Sequence, residues 1–290
     1  MTDQTPAPVE QDEGTYCYGH PNRPTKLRCS RCDRFICGSC AIPASVGQHC
    51  PECVAEARKS APKVKTPMAA NAPAVRAIIA VTVGVYILQA FTGDMLIDRF
   101  ASNSVQIWQG EVYRLLTSVF LHAPLRGGFS ILHIAFNMYI LSIYGPQVEQ
   151  AFGTKKFVFL YFATGFVASA VSYNLNGCIQ GYGASGAVFG IVGILLVYLY
   201  NRRTSTFAGM YLRDIGIFIA LNLMLGFSMR GIDNFAHIGG LLAGMALGAG
   251  FDRRQTSQAT APTGLQIVTA VAVLGAGVLL VAQRTATFSC

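Results

Sequence analysis

Long apolar stretches alternate with short charged patches along this chain, and that alternation constrains the fold more than any other feature. Seven apolar stretches run over residues 75–92, 130–148, 156–174, 185–201, 211–228, 234–251 and 264–282. Each is near the roughly 20 residues a helix needs to cross about 30 Å of hydrocarbon. Inside lipid the backbone has no water to bond, so each stretch must satisfy itself as a helix. The expected fold class is an all-α polytopic membrane protein. Composition agrees, because 12% of the 290 residues are charged and 52% are hydrophobic. That is about half the charge of a usual soluble domain, too little to cover one.

The positive balance of +8 falls in patches between the stretches. Arg58, Lys59, Lys63, Lys65 and Arg76 precede the first. Lys155 and Lys156 follow the second, Arg202, Arg203 and Arg213 the fourth, and Arg253 and Arg254 the sixth. The opposite set holds only Arg99, Arg114, Arg126, Arg230 and Arg284. The positive-inside rule then predicts a cell-membrane protein with a cytoplasmic N-terminus and its last span ending outside. No basic stripe carries interleaved aromatics, which excludes a nucleic-acid partner. The polar opening MTDQTPAPVEQDEG reads as lacking a signal peptide. Residues 93–128 are too apolar for a solvated loop and are expected as short amphipathic pieces in the outer interface.

Seven of the nine cysteines lie between Cys17 and Cys53. The pairs are Cys17-x-x-His20, Cys29-x-x-Cys32, Cys37-x-x-Cys40 and Cys50-x-x-Cys53. A two-residue spacing lets one tight turn offer two ligands to one ion, and two pairs complete a tetrahedron. Eight ligands fit two structural Zn²⁺ ions and leave no open catalytic position. Interleaved pairing sets Cys17, His20, Cys37 and Cys40 on one ion and Cys29, Cys32, Cys50 and Cys53 on the other. Sequential pairing fits the spacing too, and His49 is an alternative ligand beside Cys50. A disulfide framework is the rival reading; a histidine at a cysteine-like position and a cytosolic setting favour metal. The expected divisions are a disordered 1–16, a zinc module 17–56, a linker 57–74, a core 75–251 and a seventh span 264–282. The module resembles B-box or RING-like zinc folds, which implies a cytoplasmic protein partner. Cys178 and Cys290 stand apart and read by default as unrelated thiols.

Three polar residues interrupt the spans at one depth. At 1.5 Å per residue, Ser185 lies about 26 Å from the charged border at Arg202. His237 lies about 24 Å from Arg253, and His133 about 24 Å from Glu149. Ionisable groups inside a membrane are costly and point to function. His237, Gly240, Gly244 and Gly248 share a helix face, as do Ser185, Phe189 and Gly193. Small residues at that spacing allow close helix approach. A serine becomes a nucleophile when a neutral imidazole takes its proton, and acyl transfer also needs donors for the oxyanion. Ser185 and His237 suit the first pair of roles. His133 and Asn137, with the Ser185 N–H, suit the second. No acidic residue is placed to orient His237, so the pair would be a dyad. Taken singly, each residue has a plainer reading as a helix–helix hydrogen bond. The conjunction of three helices at one depth favours catalysis.

The pieces His133-Ile-Ala-Phe-Asn137, Gly183-Ala-Ser185-Gly186 and Ala236-His237-Ile-Gly-Gly240, with Gly244 and Gly248, resemble the rhomboid family of intramembrane serine proteases. Tyr113-Arg114 is similar to that family's Trp-Arg pair, and Glu149 to an acidic position near the inner end of its second helix. The resemblance implies a six-helix core plus one further helix. It also implies a Ser185–His237 dyad, an oxyanion site at His133 and Asn137, and no metal in catalysis. Implied substrates are single-span membrane proteins cleaved near the outer leaflet of the lipid bilayer. The fifth span, with few anchors besides Arg213 and Asn222, is a candidate lateral gate. A proteolytically silent relative that captures helices is the alternative, and a transporter would need acidic groups near the midplane. Tyr113 in place of tryptophan and a long stretch over 123–128 depart from the family pattern.

Overall fold

A computed structural model of the protein describes residues 15–44, 46–60, 71–124, 130–229, 231–252 and 264–289. Most of the N-terminal stretch, the linker positions Pro62, Lys63, Lys65 and Pro67, and the loop arginines Arg126, Arg230, Arg253 and Arg254 lie outside the described residues. The chain divides into two units, Met1–Val64 and Lys65–Cys290.

The first unit is built from two small hairpins and a helix. Strands β1 (Tyr16–Cys17) and β2 (His20–Pro24) pair antiparallel, as do β3 (Ile42–Pro43) and β4 (Gln48–His49), before helix α1 (Pro51–Ser60). Its buried centre is Ile36 with six of the seven cysteines, Cys32 being the exposed one. So small an apolar core cannot offset the entropy of ordering the segment without further cross-links.

The second unit is helical, with one short strand pair. Its elements are α2 (Pro73–Thr92), α3 (Met95–Phe100), β5 (Ser102–Asn103), α4 (Ser104–Trp108), α5 (Arg114–Thr117), α6 (Ser130–Phe152) and α7 (Thr154–Leu175). Then come β6 (Gln180–Gly181), α8 (Ser185–Tyr200), α9 (Thr206–Ser228), α10 (Asn234–Phe251) and α11 (Gly264–Ala286). All seven apolar stretches form helices. Five are long and apolar enough to cross a membrane by length and composition: α2, α7, Ala208–Ser228 of α9, α10 and α11. Helix α8 has 16 residues, or about 24 Å. Helix α6 has 23 but carries His133, Asn137, Ser142, Gln147, Glu149 and Gln150 among its apolar positions. It also runs through Pro146 without ending.

Helix ends are fixed by specific groups. The Glu149 carboxylate, 2% exposed, accepts from the N–H groups of Ala74 at 3.0 Å and Val75 at 2.9 Å. It thereby satisfies donors that the first turn of α2 leaves free, next to a proline that has none. Thr154 Oγ1 donates to the same carboxylate at 2.8 Å, so one side chain ties α2, α6 and α7. Gly153 has φ +84°, a left-handed conformation glycine adopts without strain, and it turns the chain from α6 directly into α7. At the far ends of α8 and α10, Arg202 grips Asp252 through two bonds of 2.8 and 2.9 Å, and Asn201 adds a third at 2.8 Å.

Helices α8 and α10 run parallel and in contact along their length. A Cβ added to Gly240 would lie 2.0 Å from the Gly186 carbonyl oxygen, and one on Gly244 would lie 2.0 Å from that of Gly190. One turn further, Gly248 meets Ile194. Helix α7 closes the third side, with Thr164 against Gly190 and Ala168 against Gly186. Helix α11 packs on α7 and α10. Helix α9 is sparsely buried, with 11% of its apolar window inside the protein, as for α11, against 56% for α7 and for α10.

The segment between α2 and α6 forms the expected short pieces. Arg114, 2% exposed, anchors them by donating to Glu111 at 2.7 Å and to the Ala101 carbonyl at 2.9 Å. The Tyr113 hydroxyl and the Arg114 guanidinium hold the Glu111 carboxyl below its ordinary range.

Candidate active site and metal centres

Helices α8 and α10 present Ser185 and His237 at neighbouring ends, because both residues lie in first turns and the helices run parallel. Ser185 opens α8. His237 is 8% exposed, and Asp233 caps its helix by accepting from Ala236 N at 2.9 Å. The other Asp233 oxygen accepts from Ser172 of α7. The His237 ring stacks on Phe189 with centroids 4.4 Å apart and planes 10° apart. Phe189 lies one turn along α8 from Ser185, so this stack sets His237 beside the serine's helix. Nδ1 of His237 is buried without a hydrogen-bond partner, and among the described residues no carboxylate is hydrogen-bonded to the ring. Ser185 and His237 are not hydrogen-bonded to each other here; catalytic bonds are often long before substrate binds.

His133 approaches from α6. A Cβ on Gly183 would fall 3.1 and 3.2 Å from the His133 ring and 3.8 Å from Ser185 Oγ. The imidazole and the hydroxyl therefore converge on one glycine, which has φ +133° and is fixed by donating to Ser118 O at 3.0 Å. Asn137, 4% exposed, donates one Nδ2 hydrogen to the His133 carbonyl at 2.9 Å. An amide nitrogen has two hydrogens, so one remains. Ser185, His133 and His237 thus come together at one end of α6, α8 and α10, with Asn137 one turn deeper in α6.

Sequence reasoning missed His122. It is fully buried, its ring lies 5.1 Å from that of His133, and neither ring nitrogen has a protein partner. Gln89 of α2 holds its backbone through two bonds of 3.0 and 3.2 Å. The signal was a histidine in an apolar loop, but its partner is 33 residues away and invisible to spacing.

The eight metal-ligating candidates gather into two clusters, Cys17, His20, Cys37 and Cys40, and Cys29, Cys32, Cys50 and Cys53. This is the interleaved arrangement, and His49 belongs to neither. In each cluster the ligand atoms lie within 4.8 Å of one another. A tetrahedral zinc with bonds of about 2.3 Å to sulfur separates two sulfurs by about 3.8 Å. Cys32 and Cys50 Sγ are 3.7 Å apart, and His20 Nδ1 lies 3.8, 3.5 and 3.3 Å from Cys17, Cys37 and Cys40. Backbone N–H groups of Cys50 and Cys53 donate to Cys29 and Cys50 sulfurs, which suits thiolates. The residues fit two tetrahedral metal ions.

Comparison with known proteins places these observations. A family model described as the rhomboid domain matches residues 109–254. The "Rhomboid protease GluP" of Bacillus subtilis is 39% identical over 156 residues, covering 52% of this chain and 28% of that protein. "RHOMBOID-like protein 1" of Arabidopsis thaliana is 36% identical over 148 residues, covering 50% and 36%. "Rhomboid-like protease 3" of Toxoplasma gondii is 33% identical over 150 residues, covering 51% and 52%. The chain thus spans about half or less of the length of these relatives.

Proposed function

We propose that this chain, which belongs to the rhomboid family, is an intramembrane serine endopeptidase that cleaves single-span membrane proteins. Ser185 Oγ attacks the scissile carbonyl carbon as His237 takes its proton. The tetrahedral oxyanion accepts from His133, from the free Asn137 hydrogen and from the Ser185 N–H at the start of α8, where helix donors have no internal partner. Collapse returns the proton to the leaving amine, and water then releases the acyl group by the same route in reverse. The carrying observation is the convergence of His133 and Ser185 Oγ on Gly183, with His237 stacked on Phe189 beside them. A dyad without an orienting acid suits the burial and rigid stacking of His237.

Helix α9, the least buried of the core helices, is the side through which a substrate helix enters. The distribution of basic residues along the sequence supports a cytoplasmic N-terminal unit and a Ser185 that faces the outer side. Two zinc ions held by the paired clusters would supply folding energy to the module and take no part in the cleavage. The module then serves to dock a cytoplasmic protein.

The test is cleavage of a model single-span substrate in proteoliposomes. Ser185→Ala and His237→Ala should abolish it, and a fluorophosphonate should label wild type at Ser185 and neither variant. Equal cleavage by wild type and Ser185→Ala would overturn the assignment.

A further inference from the structure

The nine cysteines fall into two chemical classes. The seven of the first unit form no disulfide, whereas Cys178 is disulfide-bonded. Cys290 is the one cysteine of the sequence left over. It lies outside the described residues, but the chain leading to it does not. Cys178 Sγ lies 3.5 Å from the Ser289 carbonyl. Phe288 stacks on Trp108 of α4, with centroids 5.2 Å apart and planes 11° apart, and Arg284 donates to Ser289 O at 3.1 Å. The default reading of two unrelated thiols therefore fails for Cys178.

The segment carrying Cys178 leads into the nucleophile. Ser104 Oγ donates to the Gly177 carbonyl at 2.9 Å. Strand β6 pairs with β5 two residues later, and Gly183 then packs on His133. We infer that Cys178 and Cys290 form a disulfide clasp that ties the tail of α11 to the loop positioning Ser185. Cys178 and Cys290 are positioning residues, since neither touches the reacting atoms. The bond forms when both thiols exchange with the disulfide of an extracytoplasmic thiol–disulfide oxidoreductase. Cys178 and Cys290 together lose two electrons and two protons, and the oxidant's disulfide becomes a dithiol. An oxidising outer face permits this, and a reducing cytoplasm would not.

The effect on turnover rests on the protease reading, but the bond itself does not, so two measurements separate them. The full-length protein is unfolded in chelator and alkylated with a maleimide, and adducts are counted by mass. Seven adducts are expected without reductant and nine after reduction; Cys290→Ser should give eight without reductant. Nine adducts before reduction, or a disulfide-linked dimer on a non-reducing gel, would overturn the clasp. In proteoliposomes, Cys178→Ser, Cys290→Ser, the double variant and reduced wild type should share one lowered kcat, about ten-fold below oxidised wild type, with KM unchanged. Wild-type turnover in all four would overturn the positioning role. Seven adducts from a wild type that cleaves nothing would sink the protease reading and leave the bond standing.

Discussion

Gly240→Ala should disable the site without touching it. Its new Cβ would lie 2.0 Å from the Gly186 carbonyl oxygen, where carbon–oxygen contacts ordinarily fall near 3.3–3.6 Å. The obstacle is backbone and cannot rotate away, so α8 and α10 must part locally by about 1.3 Å. Gly186 adjoins Ser185, and Gly240 follows His237 by three residues, so the displacement falls between the proposed nucleophile and base. Overpacking of this kind costs about 1–3 kcal/mol, which leaves most of a folded population. A misplacement of about 1 Å costs about 10²-fold in rate. The expected result is a kcat/KM about two orders of magnitude lower, read by cleavage of a single-span substrate in liposomes, with a modest fall in unfolding temperature. Gly275→Ala is the matched control: a Cβ there meets nothing within 4 Å, and activity should hold. If Gly240→Ala cleaves within about three-fold of wild type, the glycine contact does not set the catalytic geometry, and the reasoning from close approach to rate is refuted.

Glu149→Gln leaves one of the two α2 donors facing an amide nitrogen; the expected cost is about 2–3 kcal/mol, read as a lower unfolding temperature in detergent. Chelation should remove about two zinc ions per chain and unfold residues 17–53, while cleavage by the membrane unit in detergent persists. Loss of that cleavage with the membrane unit still folded would show that the module regulates activity. Acidification should loosen the segment around Arg114. The Glu111 carboxyl is depressed by Tyr113 and Arg114, so its contribution is complete above the unfolded glutamate range and is lost as pH falls through the lower folded value. Proteolysis at 110–117 should therefore rise in acid for wild type, whereas Glu111→Gln should show the faster cleavage already at neutral pH and little further change.

Much of the fold was legible because lipid imposes simple rules. The start of α8 at Ser185 and both ends of α10 fall where the apolar runs placed them, since hydropathy and helix closure act locally. The candidate site was legible for a related reason: a serine or histidine inside an apolar helix is conspicuous, and helical periodicity puts His237 on the face of Gly240 and Gly244. What escaped depends on partners distant in sequence. Glu149 was seen as a residue, but its bonds to Ala74 and Val75 span about 75 positions. The Gln89–His122 clasp, the Ser172–Asp233 bond and the oxidation of Cys178 are likewise products of tertiary packing. The interleaving of the metal clusters was left open because turn spacing fixes pairs of ligands, not the partnership between pairs.

The crossing of α8 over α10 has a thermodynamic consequence. At Gly186, Gly190, Gly240 and Gly244 neither helix brings a side chain to the seam, so there are no rotamers to freeze when it forms. There is also no alternative packing for it to relax into. Cα–H groups face carbonyl oxygens there, a weak attraction repeated each turn. The spacing of Ser185 and His237 is thus set largely by two backbones, stiff where a side-chain interface would be soft. Warming should loosen sparsely buried α9 before α8 and α10 part, so that, with α9 as the proposed entry side, the temperature dependence of turnover reports how a substrate gets in, not how the site assembles.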